Sequence, residues 1–240
     1  MEYNLFLLIA MAMMAAFVQR VSGFGFGIFI MTALPYLMPS YGEATTLSGM
    51  LALVTSATIV WRMHQFLDWR KLLPILLTFL IVSWFAVQFV SMAGDGLLKR
   101  ILGIVLILAS IWFFFFNDKV SIRSTLPIQI GMGTLSGVMG GLFGMQGPPA
   151  VLYFLASTQR KEEYMALAQT YFLAGNCMMT LYRAQSGFLT EAVLTGWLLG
   201  LAAVLAGTWL GGIVFRRLSV TLLRRIIYAY MGLSGLVALL

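Results

Sequence analysis

Four polar residues at heptad spacing inside apolar sequence are the first candidates for chemistry in this chain. Ser48 and Thr55 stand seven residues apart in one apolar stretch, and Gln169 and Asn176 stand seven apart in another. On a helix of about 3.6 residues per turn, that spacing puts each pair on one stripe. One heptad further along, the stripes reach Arg62 and Arg183. These groups are mostly hydrogen-bond donors and amides, so two facing stripes would suit an anion. Two glycine-rich patterns add to the setting. Gly23-Phe-Gly25-Phe-Gly27 runs on to Pro35, and Gly140-Gly-Leu-Phe-Gly144-Met-Gln146-Gly147-Pro148-Pro149 places an amide beside the second cluster. Glycine weakens a helix and proline removes a backbone donor, so in lipid such backbone stands only where protein or a water-filled cavity surrounds it. Exposed N–H groups and helix N-terminal dipoles are expected at both breaks, which again favours an anion. The bland alternative is that small and amide residues glue membrane helices together, with Arg62 and Arg183 as interfacial anchors.

Enzyme chemistry finds little support. The single histidine lies in His64-Gln-Phe-Leu-Asp68, with three residues between His and Asp where an acyltransferase-type motif needs four. No Ser, His and Asp set and no zinc-ligand spacing accompany it. His64 fits better as an interfacial residue beside Trp61 and Trp69. Cys177 is the single cysteine, so neither a metal cluster nor an intramolecular disulfide is expected. No cofactor is implied. No Gly-x4-Gly-Lys-Ser/Thr loop is present to couple nucleotide hydrolysis to movement, so any transport would be secondary.

The elements that must position these residues follow from composition. Hydrophobic residues make up 61% of the 240 and charged residues 10%, and the mean hydropathy is +0.95. That is a polytopic, all-α membrane protein with the lipid bilayer as its partner. Ten apolar stretches are predicted, at 3–19, 24–38, 44–61, 72–92, 97–116, 125–140, 147–158, 163–182, 190–214 and 219–240. The second and seventh fall short of the roughly 20 residues a full span needs, so each is expected to be a re-entrant or partial helix hinged on glycine to the stretch before it.

Charge predicts the topology. The net charge of +7 is spread singly or in pairs at the ends of apolar runs, which sets orientation and does not suggest nucleic acid. If every stretch switches sides, one face receives twelve basic residues and the other receives Lys99, Arg100 and Arg183 alone. The basic face is then cytoplasmic and both termini lie outside. Met1-Glu2 lacks the basic region of a signal peptide. Five stretches per half is an odd number, which turns residues 1–118 and 119–240 into two repeats of inverted topology. Adding 121 to Ser48, Thr55, Trp61 and Arg62 gives Gln169, Asn176, Tyr182 and Arg183, matching polar to polar, aromatic to aromatic and Arg to Arg. Such inverted repeats hold their binding sites near the midplane, where the breaks meet.

Absence of charge is informative as well. All eight acidic residues fall at the ends of stretches or in loops, so no carboxylate of the kind that proton pumps use is expected in mid-membrane. Glu43 opens the third stretch, either stabilising a helix N-terminus or carrying a coupled proton. Gly207, Gly211 and Gly212 suit close helix packing within one chain, with a homodimer contact as the alternative.

The doubled glycine pattern with its following proline, and the segment Gly144-Met-Gln-Gly-Pro-Pro-Ala-Val-Leu-Tyr-Phe154, resemble the TauE/SafE family over nearly the whole chain. That resemblance implies a small permease of the bacterial or archaeal cytoplasmic membrane that moves sulfur-containing anions such as sulfite, sulfonates and sulfoacetate. By motif it implies substrate-binding roles for Gly25, Gly27, Gly144, Gly147 and Pro148. The residues themselves add Ser48, Thr55, Gln146, Gln169 and Asn176. A membrane scaffold that assembles another complex without transporting is the competing class, and the lack of any extramembrane domain to hold a partner speaks against it.

Overall fold

The computed structural model describes residues 2–116 and 124–214, and every regular element among them is helical. Ten α-helices follow in order: α1 (Glu2–Ser22), α2 (Phe26–Ile30), α3 (Leu34–Leu37), α4 (Tyr41–Met63), α5 (Trp69–Met92), α6 (Asp95–Phe116), α7 (Leu126–Phe143), α8 (Gly147–Ser157), α9 (Lys161–Gln185) and α10 (Glu191–Val214). Five of the helical segments are long and apolar enough to cross a membrane: Leu5–Ser22, Tyr41–Phe66, Trp69–Met92, Leu126–Phe143 and Glu191–Val214. Their outward faces carry large exposed apolar side chains, among them Phe6, Ile81, Phe85, Leu198 and Trp209. A surface of that kind belongs in lipid. The predicted tenth stretch, 219–240, and the basic residues at 119, 123, 216, 217, 224 and 225 lie outside the described residues.

Most predicted stretches match one helix, and the second does not. Residues 24–38 form two short helices, α2 and α3, separated by a turn at Met31–Ala33. The cause is Pro35, whose ring excludes the carbonyl four residues back and whose nitrogen cannot donate, so the helix begun at Phe26 must stop and restart with proline in its first turn. The sixth stretch runs on to Phe143, three residues past the expected limit, and stops where Gly144 turns left-handed at φ 69°.

Local caps account for the other ends. Ser40 Oγ accepts from the backbone N–H of Glu43 at 3.2 Å and donates to Glu43 Oε2 at 3.1 Å, a serine N-cap opening α4. The Glu43 carboxylate also accepts from Thr190 Oγ1 at 2.6 Å, tying α4 to the start of α10. Asp68 caps α5 through the N–H of Arg70 at 3.0 Å. Lys71 Nζ bridges Glu163 Oε1 at 2.6 Å and the carbonyl of Ser157 at 2.9 Å, joining α5 to the turn between α8 and α9.

Helix pairing has a regular pattern. α4 packs on α9, α1 on α10, α5 on α7, α4 on α10 and α5 on α9. The two closest pairings run along glycine stripes of period four. Gly133, Gly137 and Gly141 of α7 press on Ile75, Phe79, Val82, Ser83 and Ala86 of α5, while Gly207 and Gly211 of α10 press on Met13, Phe17 and Arg20 of α1. Small residues let membrane helices approach to backbone contact. Gly207 and Gly211 therefore serve packing inside the chain.

Candidate functional site

The two glycine breaks meet. α1 ends at Ser22, and Gly23 and Gly25 adopt left-handed φ of 84° and 100° before α2 begins. The second break places left-handed Gly144 between α7 and α8. A Cβ on Gly27 would run into the carbonyl oxygen of Gly144, so the chain crosses itself here at backbone distance. Gly147 faces Phe24 of the first break, with a virtual Cβ 3.7 Å from that ring.

A cavity of about 30 Å³ lies at this crossing, lined by Gln19, Gly25, Phe26, Gly27, Ile28, Ser48, Gly49, Ala52, Gly144, Met145, Gln146, Gly147, Phe172 and Asn176. Seven residues singled out from sequence are thus brought together: Gly25, Gly27, Ser48, Gly144, Gln146, Gly147 and Asn176. The polar wall is made of amides and a hydroxyl, with no carboxylate among the lining residues. Gln146 Nε2 donates to Asn176 Oδ1 at 2.9 Å and to the carbonyl of Phe172 at 3.4 Å, and its backbone carbonyl accepts from Ser136 Oγ. Ser136 in turn accepts from Tyr171 at 2.7 Å. The first N–H groups of α2 have no carbonyl of their own helix to bond, and Phe26, Gly27 and Ile28 are among the lining residues. At α8 the expectation of free donors is corrected in part, because Pro148 and Pro149 occupy the first turn and have no N–H to offer.

Thr55, Pro148 and Gln169 stand outside the lining. Thr55 is fully buried with its hydroxyl 3.4 Å from that of Thr208, between α4 and α10. Pro148 is buried in the first turn of α8. Gln169 sits one hydrogen bond behind the cavity: it donates to the carbonyl of Gly23 at 2.7 Å and accepts from Gln19 at 3.0 Å and from Ser56 at 3.2 Å. Gln19, absent from the sequence-based candidates, joins this cluster to the wall and also donates to Ser56 at 3.0 Å. A glutamine closing the apolar stretch 3–19 was the available signal.

The interfacial reading of the two arginines separates them. Arg62 is exposed at the end of α4. Arg183 is 1% exposed and donates to the carbonyls of Thr45 at 2.9 Å, Gly140 at 2.9 Å and Gly141 at 3.2 Å. It anchors the C-terminal turn of α7, where a cation is favoured, to the first turns of α4. His64 is exposed and its Nδ1 lies 3.1 Å from the carbonyl of Trp61, at the helix end where an interfacial residue was expected.

A protein of Cupriavidus necator named "Probable sulfite/organosulfonate exporter TauE" is 25% identical over 199 residues, covering 80% of this chain and 77% of that one. No solved structure matches the chain. The family model described as sulfite exporter TauE/SafE matches residues 8–238, nearly the full length. This multi-pass membrane protein therefore belongs to the sulfite exporter TauE/SafE family of transporters.

Proposed function

We propose that the chain is a secondary carrier for a small sulfur-containing anion, such as sulfite, a sulfonate or a sulfoacetate-like compound. It would work in the inner membrane with both termini outside, and it would expose the cavity at the glycine crossing to each side in turn. The observation that carries this reading is the meeting of two separate chain breaks around one carboxylate-free polar cavity. Carriers of this kind place their sites where two interrupted segments face each other. At about 30 Å³ the cavity has room for one or two waters. A sulfonate enters only if the crossing opens, which is what alternating access requires. The family and the Cupriavidus protein's name supply the substrate class.

The helix pairings support the inverted-repeat reading. Exchanging α1 with α7, α4 with α9 and α5 with α10 turns the α1–α10 contact into α7–α5 and the α4–α10 contact into α9–α5. The α4–α9 contact maps onto itself, as a pair on a pseudo-twofold axis does. In this reading residues 1–118 and 119–240 are the two repeats, and the breaks before α2 and α8 are their hinges. Ser48, Gln146 and Asn176 hydrogen-bond the anion with backbone at Gly25, Gly27, Gly144 and Gly147. Gln169 and Thr55 hold the wall from behind, and Pro148 sets the start of α8.

The test is uptake of radiolabelled sulfite, thiosulfate, sulfoacetate and taurine into proteoliposomes, with and without a pH gradient, for wild type and Gln146→Ala. Loss of one hydrogen-bonding amide is expected to weaken apparent affinity about 5- to 30-fold while folded protein is recovered normally. Saturable flux that falls in the variant supports the site. Unchanged flux removes Gln146 from it, and no wild-type flux of any sulfur anion overturns the carrier reading for this substrate class.

A further inference from the structure

Among the described residues Arg183 is a cation without a counter-ion. The ion pairs among the described residues are Lys71 with Glu163 and Arg160 with Glu162, and neither involves it. The acidic residue nearest along its partner helix is Glu43, two positions before Thr45, and that carboxylate is committed to Ser40 and Thr190. Three backbone carbonyls hold the guanidinium. Carbonyl dipoles orient a buried charge without neutralising it, and an uncompensated buried charge is costly.

The guanidinium stands behind the lining, next to Gly49. A Cβ on cavity-lining Gly49 would lie 3.5 Å from Arg183 Nη1 and 3.7 Å from Asn176 Oδ1. Glycine at 49 therefore leaves the charge separated from the cavity by little more than backbone. An arginine has five N–H donors. Nη1 uses one of its two on Thr45, and Nε has no partner among the described residues. One N–H on Nη1 and the N–H of Nε thus remain without a partner among the described residues.

We propose that Arg183 is the charge-selecting residue of the cavity. Its single positive charge is neutralised by the transported ion, so the site takes monoanionic sulfonates or sulfite-type oxyanions in preference to uncharged sulfur compounds of the same shape. The inference rests on the carrier reading above and deepens it, by naming the group that discriminates charge. It also links binding to movement. The bonds from Arg183 to Thr45, Gly140 and Gly141 hold the end of α7 beside the crossing, and an anion that takes over some of its N–H groups loosens that hold.

The experiment is competition against labelled sulfite uptake in proteoliposomes by methanesulfonate and by dimethyl sulfone, which replaces one charged oxygen with a methyl group. Wild type is expected to favour methanesulfonate by about tenfold or more. Arg183→Gln should remove most of that preference, and Arg183→Lys, which keeps the charge, should restore part of it. Because Arg183 also braces α7, Gly49→Asp provides a second route. It leaves the three carbonyl bonds in place and sets a carboxylate against the guanidinium, and it should abolish the preference in folded protein. A preference unchanged in folded Arg183→Gln, or in Gly49→Asp if the first variant does not fold, overturns the proposal while leaving the carrier reading intact. Absence of wild-type flux for every sulfur anion overturns both.

Discussion

Gly27→Ala is expected to abolish transport and to destabilise the protein by about 3 kcal/mol or more, at the upper end of what overpacking costs. The added methyl group would occupy the position of the Gly144 carbonyl oxygen, with the carbonyl carbon 3.1 Å away. Both contacts are backbone, so no side chain can rotate aside. Relief requires the two breaks to separate, which opens the cavity wall formed by Ser48, Gln146 and Asn176. Gly147→Ala provides the contrast within the same site. There the nearest atoms belong to Phe24 and Phe172 at 3.7 Å, an ordinary contact, and folding should survive. Thermal unfolding in detergent and flux in proteoliposomes measure both variants. A Gly27→Ala protein as stable and active as wild type would show that the breaks do not cross as described.

The second large effect is expected where α10 packs on α1. Gly207→Ala drives a methyl group into the backbone of Met13, where the carbonyl oxygen, carbon and Cα all lie within 3.1 Å. Helices α1 and α10 must then move apart along a contact that Gly211 shares. A loss of about 1–3 kcal/mol is expected, read as a lower unfolding temperature and poorer recovery of monodisperse protein. Since α1 leads directly into the first break through Ser22, the displacement should also reduce transport. Gly131→Ala on α7 is the control, with nothing within 4 Å of the added atom. It should leave stability unchanged or slightly raised. Equal effects at 131 and 207 would contradict the packing account.

Much of the helical layout was legible because apolar runs of about 20 residues have few alternatives in lipid. The glycine clusters also revealed where the helices break, since left-handed Gly25 and Gly144 occupy a conformation that other residues rarely adopt. Heptad spacing singled out Ser48 and Asn176, which line the cavity, but could not tell them from Thr55 and Gln169, which share the stripes and stand outside the lining. The difference is depth along each helix relative to the crossing, a tertiary quantity. Gln19 was missed because its partners Ser56 and Gln169 are 37 and 150 residues away, and nothing local announces such a cluster. Arg183 was left open between the polar stripe and an interfacial anchor for a related reason. The two arginines match in sequence, and only the tertiary packing separates them: the end of α7 covers Arg183 while Arg62 stays exposed. The split of 24–38 into α2 and α3 was already written in Pro35.

The central claim is that the cavity at the glycine crossing is the transport site, opened alternately to the two faces of the membrane. It is tested most directly by labelling Ser48→Cys, in a background where the exposed Cys177 is replaced by serine, with a membrane-impermeant maleimide applied from either side of oriented vesicles. The account predicts reaction from both faces, slowed by a transported sulfonate added on the same side. Reaction from one face only, or from both with no protection by any sulfur anion the protein carries, would contradict it.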